Sequence, residues 1–247
     1  MNPVQVWRHW RQRLELIRSW GLSPTDVVLE VGSGQNPSPR ADILCERFVA
    51  DSTERNAEPP RVDRPFVVGD IYHLPFRDRS VDFVICTHVL EHLEDPLRAI
   101  AELTRVAPRG YVETPSAVWE RLHSFPFHRW FITEEEGAMV FRAKPRPVHD
   151  AEAREWVDRL FGLRAGLLDF FFQHERELGT VVGILWEGEL PARVEGEPPA
   201  RVEGEPDPFV QATETTRAAE MEALRQGVRR HRTTVSPADR LYRSASR

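Results

Sequence analysis

Val27-Val28-Leu29-Glu30-Val31-Gly32-Ser33-Gly34 is the stretch from which the rest of the chain can be read. A short run rich in β-branched residues ends in two glycines one residue apart. The run has the composition of a strand buried on both faces. The glycines let the main chain turn sharply and let a flat ligand approach without a Cβ in the way. Similar runs recur at Phe66-Val67-Val68, at Val81-Asp82-Phe83-Val84-Ile85-Cys86 and at Tyr111-Val112-Glu113-Thr114. Before the last of these lies a helix pattern: Asp95 can cap it, Pro96 suits its first position, and Leu97, Ile100, Ala101 and Thr104 share a face. Strands alternating with helices and loops predict an α/β fold, with a mostly parallel, doubly wound sheet.

The flanking regions read differently. Residues 6–20 place Trp7, Trp10, Leu14 and Ile17 at helical spacing, with Gly21 positioned to stop the helix. A second helix is expected at residues 150–161, followed by strands at 167–172 and 180–186 that would form an antiparallel hairpin at one sheet edge. The first domain is therefore drawn as residues 1–190. Residues 191–209 contain an eight-residue repeat, Ala192-Arg-Val-Glu-Gly-Glu-Pro-Pro199 and then Ala200-Arg-Val-Glu-Gly-Glu-Pro-Asp207, and read as an extended linker. Residues 210–247 read as a helical or partly disordered tail, with eight arginines from Arg217 onward against Glu220, Glu222 and Asp239.

Composition narrows the function classes. The chain has 247 residues, 40% of them hydrophobic, and a net charge of −6, so it offers no global field for a polyanion, and nucleic acid is not an expected partner. No apolar run approaches the ~18 residues of a membrane span, and no secretory signal pattern is seen at the start. The expectation is a cytoplasmic protein; its oligomeric state cannot be read from these letters. Cys45 and Cys86 stand alone in apolar surroundings, which suits buried reduced thiols rather than a disulfide framework or a zinc set. Lys144 is the only lysine in the chain.

The glycine turn departs from the dinucleotide fingerprint. That pattern needs a third glycine where Pro37 stands, opening a helix that receives pyrophosphate. The chain continues instead as Asn36-Pro37-Ser38-Pro39, and a ligand without phosphate fits better.

Three blocks in order carry a resemblance: Glu30-x-Gly32-x-Gly34, then Gly69-Asp70-Ile71-x-x-Leu74-Pro75-Phe76, then Phe83-Val84-Ile85-Cys86-Thr87-His88-Val89-Leu90-Glu91-His92. Together they resemble the class I S-adenosylmethionine-dependent methyltransferases, of the type 11 or ubiquinone-biosynthesis-like branch. The resemblance implies a Rossmann-like sheet, S-adenosylmethionine as cofactor, no metal, and a small-molecule acceptor. It implies that Glu30, Gly32, Ser33 and Gly34 line the methionine part of the cofactor, with Asn36 in the same binding set. A carboxylate at the end of the second strand, read as residues 42–47, would take the ribose hydroxyls. Glu46 is chosen and Asp51 is the runner-up. Asp70 would accept from the adenine amino group, Ile71 would pack on the ring, and Thr87 and His88 would close over the sulfonium side.

The histidines leave alternatives open. His88-x-x-Glu91-His92 also spells a zinc-hydrolase motif, which on one helix would put both imidazoles on the same side. The pattern abuts a strand, so His88 is expected in a loop. The segment His123-Ser124-Phe125-Pro126-Phe127-His128-Arg129-Trp130-Phe131 mixes aromatics and cations and suits an acceptor cover. His88, His123 and His128 are the candidate catalytic residues, should the acceptor need a general base. A third reading keeps the fold as a non-catalytic binding module.

Overall fold

In a computed structural model of the chain, the described residues are 3–49, 59–123, 125, 127–144, 159, 174, 176 to 197. Strands form where the β-branched runs predict them: β1 (Val28–Val31), β2 (Ile43–Glu46), β3 (Phe66–Val68) and β4 (Phe83–Thr87). They belong to a unit made of residues 23–87 and 101–110. Its strand order is β3-β2-β1-β4. All three pairings are parallel, with Glu30 opposite Leu44 and Ile85, and Glu46 opposite Val68. Every residue of β1 is buried, as expected of a parallel strand covered on both faces. Aspartates hold the strand entrances: Asp82 accepts from Val27 N–H at 2.7 Å and Asp42 from Val28 N–H at 3.0 Å.

Between β1 and β2 there is no helix. Residues 35–42 run as an irregular segment, as the prolines foretell, and Pro37 to Ala41 are buried. A buried backbone without a ladder must find other partners. Arg40 donates to the carbonyls of Ser23 and Asp26 at 2.8 and 2.7 Å, and Arg64 donates to those of Ser38 and Ala41 at 2.9 and 2.8 Å.

The other unit comprises the described residues of 1–22, 88–100 and 111–199. α1 (Pro3–Ser19) ends at the positive-φ Gly21, as its sequence predicts. α2 (Pro96–Val106) begins in this unit, and its Asp95 cap accepts from Arg98 N–H at 3.0 Å. β5 (Arg109–Pro115) neighbours β8 (Val181–Glu187), and α3 (Ala117–His123) follows β5 directly. Tyr111 stacks on Trp20 with ring centroids 5.0 Å apart. A Cβ added at Gly183 would stand 2.2 Å from the Tyr111 hydroxyl, so β8 passes that ring only because the residue is glycine.

A second sheet was not anticipated. β6 (Trp130–Glu135) and β7 (Ala138–Ala143) form an antiparallel hairpin whose two turn residues, Glu136 and Gly137, have φ of 54° and 81°. Two successive positive φ values are the signature of the tight turn that matches strand twist. β9 (Ala192–Glu195) pairs in parallel with β7. The linker expected at 191–209 is corrected here: its first residues are a strand, and the folded part continues past Leu190. Ala192 and Val194 are half-buried while Arg193 and Glu195 face outward, and Arg142 binds Glu195 at 2.8 Å. The helix expected at 150–161, the strand at 167–172 and the tail after 209 lie outside the described residues. Among the described residues, no helix is long and apolar enough to cross a membrane.

Replacing Gly183 with alanine pushes a methyl group against a phenol that Glu113 and Arg176 hold in place. The variant is expected to lose about 1–3 kcal/mol of unfolding free energy by chemical denaturation. Unchanged stability would show that Tyr111 moves aside freely.

Candidate functional site

The carboxyl ends of parallel strands are where open α/β sheets bind ligands. Gly32 and Gly34 follow β1 with φ of 74° and 53°, which a side chain would strain. Two buried acids then fasten the turn. Glu30, 3% exposed, accepts from Ser38 N–H at 2.6 Å through Oε2. Glu46, 6% exposed at the end of β2, accepts from Gly34 N–H at 2.9 Å through Oε1. The Ser33 hydroxyl between the glycines is buried, and it has no hydrogen-bond partner among the described residues. Asn36 is exposed beside them.

The next strand end adds Asp70. Gly69 N–H donates to Glu46 O at 3.0 Å, and a Cβ on Gly69 would meet Pro75 at 2.8 Å and the Cys45 sulfur at 2.9 Å. The Asp70 carboxylate pairs with Arg47 at 3.0 Å and accepts from Tyr72 N–H at 3.0 Å. Ile71 is buried next to it. The segment is pinned further on, where Leu74 N–H donates to Glu102 at 2.8 Å and Arg105 donates to the Leu74 and Phe76 carbonyls. Thr87, half-buried, ends β4 one residue after Cys86, which lies opposite Val31. Thus Glu30, Gly32, Ser33, Gly34 and Glu46 come together as their spacing suggests. Asp70 joins them through Gly69, while Asp51, the other ribose-acid candidate, lies outside the described residues.

The histidines lie in the other unit. His88 is not helical: its φ is 56°, its N–H donates to Glu113 O at 2.8 Å, and half of its side chain is exposed. A short 3-10 turn, Leu90–His92, follows. His88 and His92 therefore do not share a helical face, and the local geometry that the zinc-hydrolase motif needs is missing. Glu91 is 1% exposed, and neither of its carboxylate oxygens receives a hydrogen bond. Its nearest imidazole neighbours are His88 Nδ1 at 3.5 Å and His92 Nε2 at 3.9 Å. Burial acts to raise its pKa, but His88, His92 and His128 outweigh that and hold it low. For His92 burial dominates and pushes the pKa down.

His128 and His123 stand in different settings. The buried His128 shares its Nδ1 with Glu120 Oε2 at 2.6 Å. Glu120, 1% exposed, also accepts from the ammonium of Lys144, which in turn donates to Phe125 O at 2.7 Å. His123 stacks on Phe125, and His92 stacks on Phe127. Sequence reasoning missed Glu120 and Lys144. The single lysine of an arginine-rich chain was the one available signal, and nothing local to it names a partner 24 residues away.

Comparison with known proteins agrees with the strand-end geometry. Residues 40–112 match the model of a methyltransferase domain. The matched stretch holds Glu46, Asp70, Ile71, Thr87 and the histidine motif, whereas Glu30 and the glycine turn precede it. The chain is also similar to an uncharacterized methyltransferase from Schizosaccharomyces pombe, 33% identical over 110 residues that make up 37% of this chain and 40% of the yeast protein. A demethylmenaquinone methyltransferase from Renibacterium salmoninarum is 32% identical over 108 residues, 42% of this chain and 45% of that protein. The chain spans less than half the length of these curated relatives. A solved SAM-dependent methyltransferase from Methanosarcina mazei aligns with a TM-score of 0.35 at 20% identity, covering 49% of this chain and 71% of that one. The cofactor that the family implies is S-adenosylmethionine.

The Cys45 thiol lies beneath the acids of this site. Burial first, then the charges of Glu46 and Asp70, push its pKa up to about 12. Only thiolates react readily. Iodoacetamide at about pH 8 is therefore expected to leave Cys45 unmodified in the folded chain and to alkylate it in denaturant. Rapid native labelling of the Cys45 peptide by mass spectrometry would contradict that burial.

Proposed function

We propose that the chain transfers a methyl group from S-adenosylmethionine to a small-molecule acceptor. The observation that carries this is the glycine turn, where the Ser33 hydroxyl is buried without a hydrogen-bond partner among the described residues, while Glu46 accepts from Gly34 N–H and Glu30 from Ser38 N–H. Two buried anions at the turn repel a phosphate, and no helix N-terminus follows to attract one. A ligand rich in donors suits them: carboxylates are acceptor-only, and a ribose diol or an ammonium group supplies what they lack. Ser33 fits such a ligand because an unmet buried hydroxyl is costly until something bonds it.

In this reading Glu46 takes the ribose hydroxyls and Asp70 the adenine amino group, with Ile71 packed on the ring. Glu30, Gly32, Ser33 and Gly34 surround the amino-acid end, with Asn36 at its exposed side. Thr87 closes β4 nearby. When bound, the cofactor supplies an electrophilic methyl carbon and its own leaving group. The work left to the chain is to orient and to exclude water. His88 is half-exposed at the end of β4, with Glu91 and Glu113 beside it. It is the residue we assign to accept a proton from an acceptor that must lose one. The reading also places the protein inside the cell, where this methyl donor is made.

Titration calorimetry with S-adenosylhomocysteine tests the proposal, with NADH as the phosphate-bearing comparison. Saturable binding of the first and none of the second is expected. Glu46→Gln and Asp70→Ala are each expected to weaken binding by about 1–3 kcal/mol, roughly ten- to a hundredfold. Wild-type affinity in both variants would remove these acids from the site, and NADH binding would replace the reading with a dinucleotide one.

A further inference from the structure

We propose that Glu91, His92 and His128 form a binding site for a divalent transition-metal ion of the zinc class. Their ligand atoms all lie within 4.8 Å of one another. Bond lengths of about 2.0–2.2 Å to zinc bring tetrahedral ligands to roughly 3.3–3.6 Å apart, so atoms within 4.8 Å must draw in by up to about 1.5 Å. Two imidazoles with one carboxylate select a borderline-soft cation over magnesium or calcium.

Three features beyond proximity support the site. First, Glu91 is 1% exposed and neither of its oxygens receives a hydrogen bond. His88 Nδ1 at 3.5 Å and His92 Nε2 at 3.9 Å stand near it without a hydrogen bond, and a bound cation would give both oxygens a direct partner. Second, His128 is held as metal-binding histidines are. Its Nδ1 is engaged by Glu120 at 2.6 Å, which fixes the ring and leaves Nε2 as the ligand nitrogen. Lys144 in turn occupies the other oxygen of Glu120, so that carboxylate is fully oriented. With neutral imidazoles, Glu91, Glu120 and Lys144 together carry one net negative charge, which favours a cation.

Third, the scaffold is already fastened. Arg129 N–H donates to Glu91 O at 2.9 Å, and the Trp130 indole N–H donates to Leu93 O at 2.7 Å. The 3-10 turn and the entry to β6 are thus joined on both sides of the three ligands. Phe127 shields the imidazoles, lying against His92 at 5.6 Å and against His128 at 5.0 Å between ring centroids. His88 is no part of this set, and no hydrolytic activity is implied. Three protein ligands leave a fourth position for water or another donor.

The test uses the full untagged chain, stripped with chelator and titrated with Co²⁺ while its visible d–d absorption is followed. One equivalent is expected to bind and to be displaced by Zn²⁺. Glu91→Gln and His128→Ala are expected to abolish the signal. Glu120→Gln, which leaves all three ligands in place, is expected to weaken binding about 10–100-fold. Circular dichroism checks that each variant is folded; if His128→Ala is not, the isosteric Glu91→Gln decides. No saturable absorption in the folded wild type would overturn the proposal, as would binding by Glu91→Gln equal to wild type. The readout needs no methyl donor, so it stands or falls separately from the function proposed above.

Discussion

The unit built on β1 to β4 hangs on one constraint: the chain leaves β1 without a following helix to take up its backbone groups. Most βα units pass their hydrogen bonds to a following helix. Here the segment to β2 is irregular and buried, and side chains share the work with a few backbone bonds such as Ala41 N–H to Ser38 O and Asp42 N–H to Val28 O. Glu30 takes Ser38 N–H, Glu46 takes Gly34 N–H, Arg64 covers the Ser38 and Ala41 carbonyls, and Arg40 ties the segment back to the carbonyls of Ser23 and Asp26. Each buried group left unpaired costs about 1–3 kcal/mol, so the loop is held as a set rather than bond by bond.

In the function proposed above, that same solution selects the ligand. Acids recruited to fasten the loop put negative charge where a dinucleotide fold would present amide donors. On that reading the turn favours a neutral nucleoside with a cationic tail. Structural and chemical requirements coincide at Glu46, which is both the end of a strand and the acceptor nearest the glycines. The histidine cluster illustrates the opposite case. Glu120 and Lys144 form a satisfied pair that orients His128, whereas Glu91 is left with demand that no residue among those described meets by hydrogen bonding.

How much of this was legible follows from the range of the interactions. β1 to β4 announce themselves because buried parallel strands are runs of Val, Ile, Leu and Phe, and α2 because Asp95-Pro96 is a local signal. The loop position of His88 was readable from the strand it abuts. β6 and β7 were not recognised because Trp130 and Phe131 read as an extension of the aromatic segment, although Glu136-Gly137 marked the turn. β9 was hidden by its repeat: Ala192-Arg193-Val194-Glu195 looks like charged linker until the edge of β7 supplies partners. The pairing of His128 with Glu120 and Lys144 depends on contacts across the fold, and no spacing rule reveals it. Glu46 could be named from the strand read at residues 42–47, but its bond to Gly34 N–H joins two elements twelve residues apart and is not a local signal.

The most direct measurement is a crystal structure of the chain grown with S-adenosylhomocysteine. The account predicts the nucleoside at the glycine turn, its ribose on Glu46, its base beside Asp70 and Ile71, and its amino-acid end against Ser33. Density for the ligand anywhere else, or none at saturating concentration, would contradict it.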